Sequence, residues 1–374
     1  MMKSITTNTT STIDIEQKNL YIAGRLTLPK ASIVIVNTNE LHHLKRCLPS
    51  IFCQNYLDYE VIIVDNASTD GSIEYLEREF PEVKIIRNEE NLGYTGGNNL
   101  GFEHVSGKYI AVLNPDTKVE PDWLLHLILT LEANPQAGLA ASKVLMMDDP
   151  SQINSCGLDI TFTGLSFCRG LGESANKYYK PEIVFGVAGS AFVIRREVLE
   201  KIGGFDEFYF IYYEDTDLSL RANLAGYTCL FAPTAVVYHQ YKFKFSARKC
   251  FLQERNRYFS LLKTFHLATL IVLLPTIFLS EVIAWGYAII QGPEHVRSKF
   301  RSNIWLIFNW RQVLEARRQV QLLRRVNDKT LLDRFSYQLN FTNTTKPWIA
   351  AILSTIFNPL VFIWKWVCRV IVIW

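Results

Sequence analysis

The chain has 374 residues, 49% of them hydrophobic and 20% charged, and a net charge of +3. That length allows one large domain or two modest ones, and the apolar content supports a packed core, which excludes a disordered chain. So small a net charge excludes a global nucleic-acid footprint and no nucleic-acid partner is expected, although basic residues gather in the last third.

Residues 1–29 are rich in Ser, Thr, Asn and Ile and hold no apolar stretch of seven residues, so they read as a loosely packed leader and not as a secretory signal. From Ser32 the pattern turns into short apolar runs alternating with amphipathic stretches. Residues 32–36 form a β-branched run and 41–52 read as a helix. A second buried strand covers 61–64, and Asp70-Gly71 opens a helix. Further strands follow at 83–86 and 109–113. Pro121 stands at the first turn of a helix that Asn134-Pro135 ends. Four continuous apolar strands separated by helices predict a parallel α/β sheet with helices on both faces. Ligands of such sheets bind at the carboxyl ends of the strands, here residues 37–39, Asp65-Asn66 and residues 114–116.

Residues 138–237 are less regular and richer in Gly and aromatics. They hold a strand over 188–194, where Gly189-Ser190 begins an apolar run, a turn at 201–204, a helix over 217–224 and strands at 229–231 and 235–238. Beyond Phe265 the character changes. Residues 265–290 carry only His266 and Glu281 as charge-bearing members, long enough to cross a bilayer, with Pro275 and Glu281 against that reading. Residues 291–346 hold eleven Lys/Arg against four Asp/Glu, and apolar runs at 348–364 and 367–374 follow, separated by Lys365 and Arg369. The segment reads as membrane-associating, either as a hairpin that enters and returns or as helices lying in the interface, with its basic part on the cytoplasmic side. Seven scattered cysteines without C-x-x-C spacing read as free thiols of a reducing compartment.

Five places carry chemistry. Asp65 ends a buried strand, where a carboxylate accepts bonds from a ring N–H or a ribose hydroxyl. Residues 88–101 pack four glycines into nine positions beside Asn91 and Asn98, which lets a backbone approach a diphosphate or sugar closely. The spacing fits neither G-x-G-x-x-G nor a Walker loop. Asp116, in Asn114-Pro-Asp116, suits a hard divalent cation. Glu214-Asp215 stand among aromatics, where desolvation raises a carboxylate toward a usable base, while Asp217 four residues before Arg221 reads as a helix salt bridge. His239, at the end of an apolar run, is either structural or a metal partner to Asp116.

Asn37-Thr-Asn39, Asp65-Asn66, the 91–101 run, Asn114-Pro-Asp116, Glu214-Asp215 and His239 occur in one order, from about residue 31 to 263. That order resembles the inverting family 2 glycosyltransferases, particularly the bacterial rhamnosyltransferase-like branch. The resemblance implies a GT-A fold, a Rossmann-like mixed sheet over 30–262, followed by a basic, hydrophobic helical region over 263–374. It implies that Asp65 holds the base or ribose, and that Asn37, Asn39, Asn66, Asn91, Gly93, Gly97, Asn98 and Asn114 contact the donor. It further implies acceptor contacts at Gly189 and Ser190, Mg²⁺ or Mn²⁺ at Asp116 with His239, and Asp215 as catalytic base oriented by Glu214. Asn114 stands where the D-x-D pattern has its first acid, which leaves fewer charges on the cation.

The activity so implied is transfer of one sugar, rhamnose favoured, from a dTDP- or UDP-sugar to a lipid-linked or cell-envelope glycan at the cytoplasmic face of a bacterial inner membrane. A processive synthase of this fold would carry Q-x-x-R-W, whereas Gln253 is followed by Glu-Arg-Asn-Arg-Tyr258. A sugar-phosphate nucleotidyltransferase would need a Gly-rich basic loop after the first strand, which Asn37-Thr-Asn39 does not supply. A non-catalytic membrane-bound scaffold is the remaining alternative.

Overall fold

The computed structural model describes residues 18–21, 24, 26–241, 245–339 and 347–374, so most of the 1–29 leader lies outside the described residues. Two compact units form. The first holds the described residues up to Leu158, Cys168–Phe210 and Tyr227–Tyr241; the second holds Asp159–Phe167, Ile211–Gly226 and the described residues from 245 onward.

The first unit is built on a ten-stranded sheet. Strands β1 (Ala31–Asn37), β2 (Tyr59–Asn66), β3 (Lys84–Asn88) and β4 (Tyr109–Leu113) run parallel in the spatial order β3-β2-β1-β4. The apolar runs of β1, β2 and β4 are buried on both faces, which is why they do not alternate, while β3 at the sheet edge is partly exposed. Beyond β4 the sheet becomes mixed. β11 (Ala191–Arg195) pairs antiparallel with β4 and with β6 (Ala137–Met146), and β6 runs parallel to β12 (Thr228–His239). The two strands expected over 229–238 are thus one strand with a bulge between Ala232 and Val236. Short β5 (Thr117–Val119) pairs antiparallel with the end of β12.

Helices cover the sheet for sequence-legible reasons. α1 (Leu41–Ile51) buries Leu44, Cys47, Leu48 and Ile51, one face at helical spacing. α4 (Trp123–Glu132) is buried almost throughout, and its Trp123 indole donates to Ser142 Oγ at 2.8 Å. Removing that indole would cost roughly 3–5 kcal/mol. α2 spans Ser72–Glu79 and α5 spans Arg196–Ile202, and the short strands β7 (Ile153–Ser155), β8 (Leu158–Ile160), β9 (Ser166–Cys168) and β10 (Glu182–Val184) lie between β6 and β11 in sequence.

The glycine-rich run forms helix α3 (Gly93–Phe102). A Cβ at Gly97 would lie 2.7 Å from Val36 Cγ1, and one at Gly101 2.4 Å from Val34 Cγ1. These glycines let a helix settle directly on β1; the close approach is to the sheet.

In the second unit, α6 (Glu214–Leu224) begins three residues earlier than the sequence suggests, and α7 (Ala247–Thr264), α8 (Leu267–Gln291), α9 (Pro293–Phe308) and α10 (Trp310–Leu322) follow, with α11 over Asp328–Asp333. The apolar runs at 348–364 and 367–374 merge into one helix, α12 (Pro347–Ile371). Lys365 and Arg369 do not break it because Lys365 Nζ donates to Phe335 O at 3.1 Å and Arg369 pairs with Asp333 at 2.9 Å. α8 and α12 are long and apolar enough to cross a membrane by length and composition. Glu281 is not bare within α8: Arg257 and Lys299 hold it at 2.8 and 2.6 Å. All seven cysteines are free thiols.

Candidate active site

The parallel strands deliver their polar ends to one rim of the first unit. Asn37 and Asp65 are register partners across β1 and β2. Asn37 Nδ2 donates to Asp65 Oδ1 at 2.7 Å and to Ser68 Oγ at 2.9 Å, while Ser68 N–H donates to Asp65 Oδ2 at 3.0 Å. Both oxygens of Asp65 are therefore oriented before any ligand arrives. Asn39 takes a left-handed φ of 56°, which asparagine tolerates better than most residues. From there its Oδ1 accepts from Thr69 N–H at 2.7 Å, tying the loop after β1 to the loop after β2.

Several of the expected donor contacts are held by neighbouring groups. Asn66 Nδ2 donates to Gly93 O at 3.0 Å and Asn66 Oδ1 accepts from Asn88 at 2.8 Å. Asn91 Oδ1 caps Gly93 N–H at 2.8 Å, at the start of α3. Gly93 is needed for its φ of 72° and because a Cβ would meet Phe210 at 2.6 Å. Asn98 is buried, its Nδ2 bonded to Tyr94 O at 2.8 Å within the helix and its Oδ1 left without a partner. Asn114 follows β4, and its N–H donates to Ser190 O at 2.9 Å. Gly189 accepts from the Tyr94 hydroxyl. The β4–β11 pairing therefore sets Gly189-Ser190 beside Asn114.

Asp116 and His239 meet through strand pairing across 123 positions of sequence, since Thr117 is the register partner of His239. His239 Nε2 stands 3.3 Å from Asp116 Oδ1, a buried oxygen with no aligned hydrogen-bond donor. His239 Nδ1 lies 2.9 Å from Asn154 Oδ1. With Asn154 Oδ1 accepting from Nδ1, Nε2 is the ring nitrogen that faces Asp116. A carboxylate oxygen and an imidazole nitrogen at this spacing suit a shared cation. Burial alone would raise Asp116, but His239 and then His43 beside it hold the carboxyl below its usual range.

Sequence reasoning missed the residues around this pair. Glu40 is pushed up from the usual carboxylate range by burial, then by Asp116 and Asp70. Glu40, His42 and His43 bring their ligand atoms within 4.8 Å of one another. His43, however, is engaged on both ring nitrogens, by Arg46 at 3.2 Å and by Glu40 at 3.3 Å. A cation there would have to displace one of them, so Asp116 and His239 make the better-prepared pair. Arg46 also donates to Gln240 Oε1 at 2.7 Å, adding a fixed positive charge to the rim. No local motif announces Arg46 or Asn154; their roles come from strand order.

The acid pair belongs to the second unit. Tyr212 and Tyr213 both take left-handed φ values, 70° and 71°, a conformation costly for aromatic residues. Asn256 on α7 holds this turn by donating from Nδ2 to the carbonyls of Ile211 and Tyr212 at 3.1 and 2.7 Å. The Tyr213 hydroxyl is tied to Gly164 O and Ser166 N–H at 3.2 and 3.1 Å. Glu214 is then buried with its Oε2 unpartnered, and burial followed by the nearby Asp215 pushes it well above the usual carboxylate range. Asp215 is only half-buried and accepts from Thr216 N–H at 2.6 Å, in the first turn of α6, where the helix dipole favours an anion. Asp217 forms the expected bridge to Arg221 at 2.8 Å and gains Lys263 at 2.9 Å.

Residues 32–203 match the family described as Glycosyl transferase family 2. An uncharacterized protein of Sinorhizobium fredii is 29% identical over 227 residues, 56% of this chain and 24% of that protein. The N-acetylglucosaminyl-diphospho-decaprenol L-rhamnosyltransferase of Mycobacterium tuberculosis is 27% identical over 231 residues, 55% of this chain and 75% of that protein. Among solved structures, S. aureus TarS 1-349 in complex with UDP-GlcNAc superposes with a TM-score of 0.53 at 14% identity, covering 82% of this chain and 84% of that one. The match to Glycosyl transferase family 2 is to residues 32–203, and the mixed sheet and this likeness of fold agree on a GT-A fold.

Proposed function

We propose that the protein transfers a single sugar, with rhamnose favoured, from a nucleotide-diphosphate donor to a hydroxyl of a lipid-linked or cell-envelope glycan, with inversion at the anomeric carbon. The observation that carries this reading is the Asp116–His239 pair, on the unit whose neighbouring strand ends hold Asp65 and Asn37 pre-oriented. The rhamnosyl preference and the lipid-linked acceptor draw support from the mycobacterial relative, whose name states both.

Asp65, Asn37 and Asn39 would hold the nucleoside, and Gly189 and Ser190 the acceptor. Asp116 and His239 would hold a divalent ion, Mg²⁺ or Mn²⁺. Such an ion, when bound, neutralises charge on the departing diphosphate. Asp215, in the first turn of α6, would take the proton of the acceptor hydroxyl as that oxygen attacks the anomeric carbon. The new glycosidic bond forms as the bond to the diphosphate breaks, so the nucleoside diphosphate leaves from the opposite side. Glu214, uncharged while its carboxyl is protonated, adds no second negative charge beside the base.

The test pairs the purified chain with dTDP-rhamnose, UDP-GlcNAc and UDP-galactofuranose, reading thermal stabilisation by each donor and then the linkage formed on a polyprenyl-diphosphate acceptor. Stabilisation by dTDP-rhamnose and a single inverted linkage are expected. Retained configuration, ladders of repeated addition, or full activity in Asp215→Asn would refute the reading.

A further inference from the structure

We infer that α8 does not cross the bilayer but lies flat along the surface of an anionic membrane, with one side on the protein and the other in lipid; this rests on the membrane acceptor proposed above. The case begins with the sidedness of α8. Leu267, Ile271, Leu274, Phe278, Val282 and Ile289, at spacings of three, four and seven, are all exposed. Thr269, Leu273, Thr276 and Ser280 are buried on the opposite side. A helix wrapped in lipid on all sides has no reason to sort its residues this way.

The second step is what α8 lies against. The Phe245 ring, just ahead of α7, packs edge-on against Tyr287 at 5.2 Å near the far end of α8. Phe245 O also lies 3.0 Å from His295 Nε2, beyond that end. Midway, Arg257 donates to Ser280 Oγ and Glu281 Oε1, both at 2.8 Å. At the near end the two helices are joined through Phe265 and His266. α8 therefore runs back along the whole length of α7. α7 carries Arg248, Lys249, Glu254, Arg255, Arg257 and Lys263 within 18 residues. A helix so charged does not enter hydrocarbon, since each central charge costs about 3 kcal/mol or more. If α7 stays out, a partner bound to it at both ends and in the middle stays level with it.

The remaining helices complete a layer. On α12 the Trp364 indole donates to Val272 O, and just beyond its end the Trp374 indole donates to Thr269 Oγ1, both at 2.9 Å, while Ile356, Ile363, Trp366 and Val370 stay exposed. α9 locks to the same network through Lys299, which contacts Glu254 and Glu281. Its outer side alternates exposed Arg297 and Arg301 with exposed Phe300, Ile307 and Phe308. Arginine interleaved with large apolar side chains matches the boundary between headgroups and acyl chains, and the positive charge selects anionic lipid as the occupant.

The test uses the full chain. Leu267→Cys and Gln291→Cys mark the two exposed ends of α8, about 36 Å apart. Each is labelled with a membrane-impermeant maleimide in inverted and in right-side-out membrane vesicles, against the unmodified chain as blank. Labelling of both ends from the same face is expected; labelling from opposite faces would overturn the inference while leaving membrane association intact. The purified chain should also sediment with vesicles containing phosphatidylglycerol, and the Arg297→Ala/Arg301→Ala double variant should bind them at least tenfold more weakly. A chain that ignores such vesicles, or that buries the apolar side in a concentration-dependent dimer, would overturn both the inference and the membrane reading beneath it.

Discussion

Buried charge is handled in opposite ways in the two units. Around Glu254 in the second unit each of these acids is paired: Arg257 and Lys299 share Glu254 and Glu281, and Asp217 is shared by Arg221 and Lys263. At the rim of the first unit the balance is left open. Asp116 Oδ1 is buried without an aligned donor and faces His239 Nε2. Glu214 Oε2 is likewise left unpartnered in the second unit. A closed network holds helices together, whereas an open one has capacity left for a cation or a proton. Residue type alone does not separate the two, since both use carboxylates beside basic groups.

The contrast can be broken by mutation. The largest effect is expected at Asp215→Asn, where turnover should fall by roughly 10³-fold while donor-induced thermal stabilisation persists. A variant that keeps more than a tenth of wild-type turnover would place the base elsewhere. Arg257→Met, in the closed network, should act on folding: leaving Glu254 and Glu281 short of a partner costs roughly 3–5 kcal/mol, read by denaturant unfolding.

An intermediate effect is expected at Asn154→Ala. Without the acceptor on Nδ1, His239 loses its fixed tautomer, and Mn²⁺ affinity should drop about 10–100-fold by calorimetry, with unfolding stability nearly unchanged. Unaltered Mn²⁺ binding would show that the pair is a plain ion pair.

The smallest and most sign-specific effect is on pH dependence. Glu254 is buried but, with Arg257 and Lys299 beside it, is held down at about 2 from an ordinary 4.5. Its contribution is fully present above pH 4.5 and is lost as pH falls toward 2. Glu214 is raised, so its contribution has the reverse sign: present below the ordinary carboxylate value and lost as pH climbs through its own elevated one. Glu214→Gln should therefore flatten the alkaline side of the stability profile and leave the acid side alone.

The parallel strands and the polar strand ends were legible because a β-branched run followed by Asn or Asp is a local signal. Asp217 with Arg221 was legible for the same reason, four residues apart on a helix. The 88–101 run is ambiguous in sequence because glycine serves two needs, room for a ligand and room for a neighbouring strand; the closeness of Val34 and Val36 shows the second. Arg46, Asn154 and Asn256 were invisible because each acts on a residue 44 to 194 positions away, brought near by sheet order or helix packing.

Asn256 and Arg257 are neighbours on α7: one holds the carbonyls leading into Glu214, the other grips Glu281 of α8. Cutting the chain after Phe265 to obtain a water-soluble enzyme would therefore do more than trim a greasy tail. It would strip a sunken guanidinium of half its counterions, one residue from the amide that steadies the turn leading into Glu214 and Asp215. Polar replacements along the outward side of α8 are the gentler route to a soluble form.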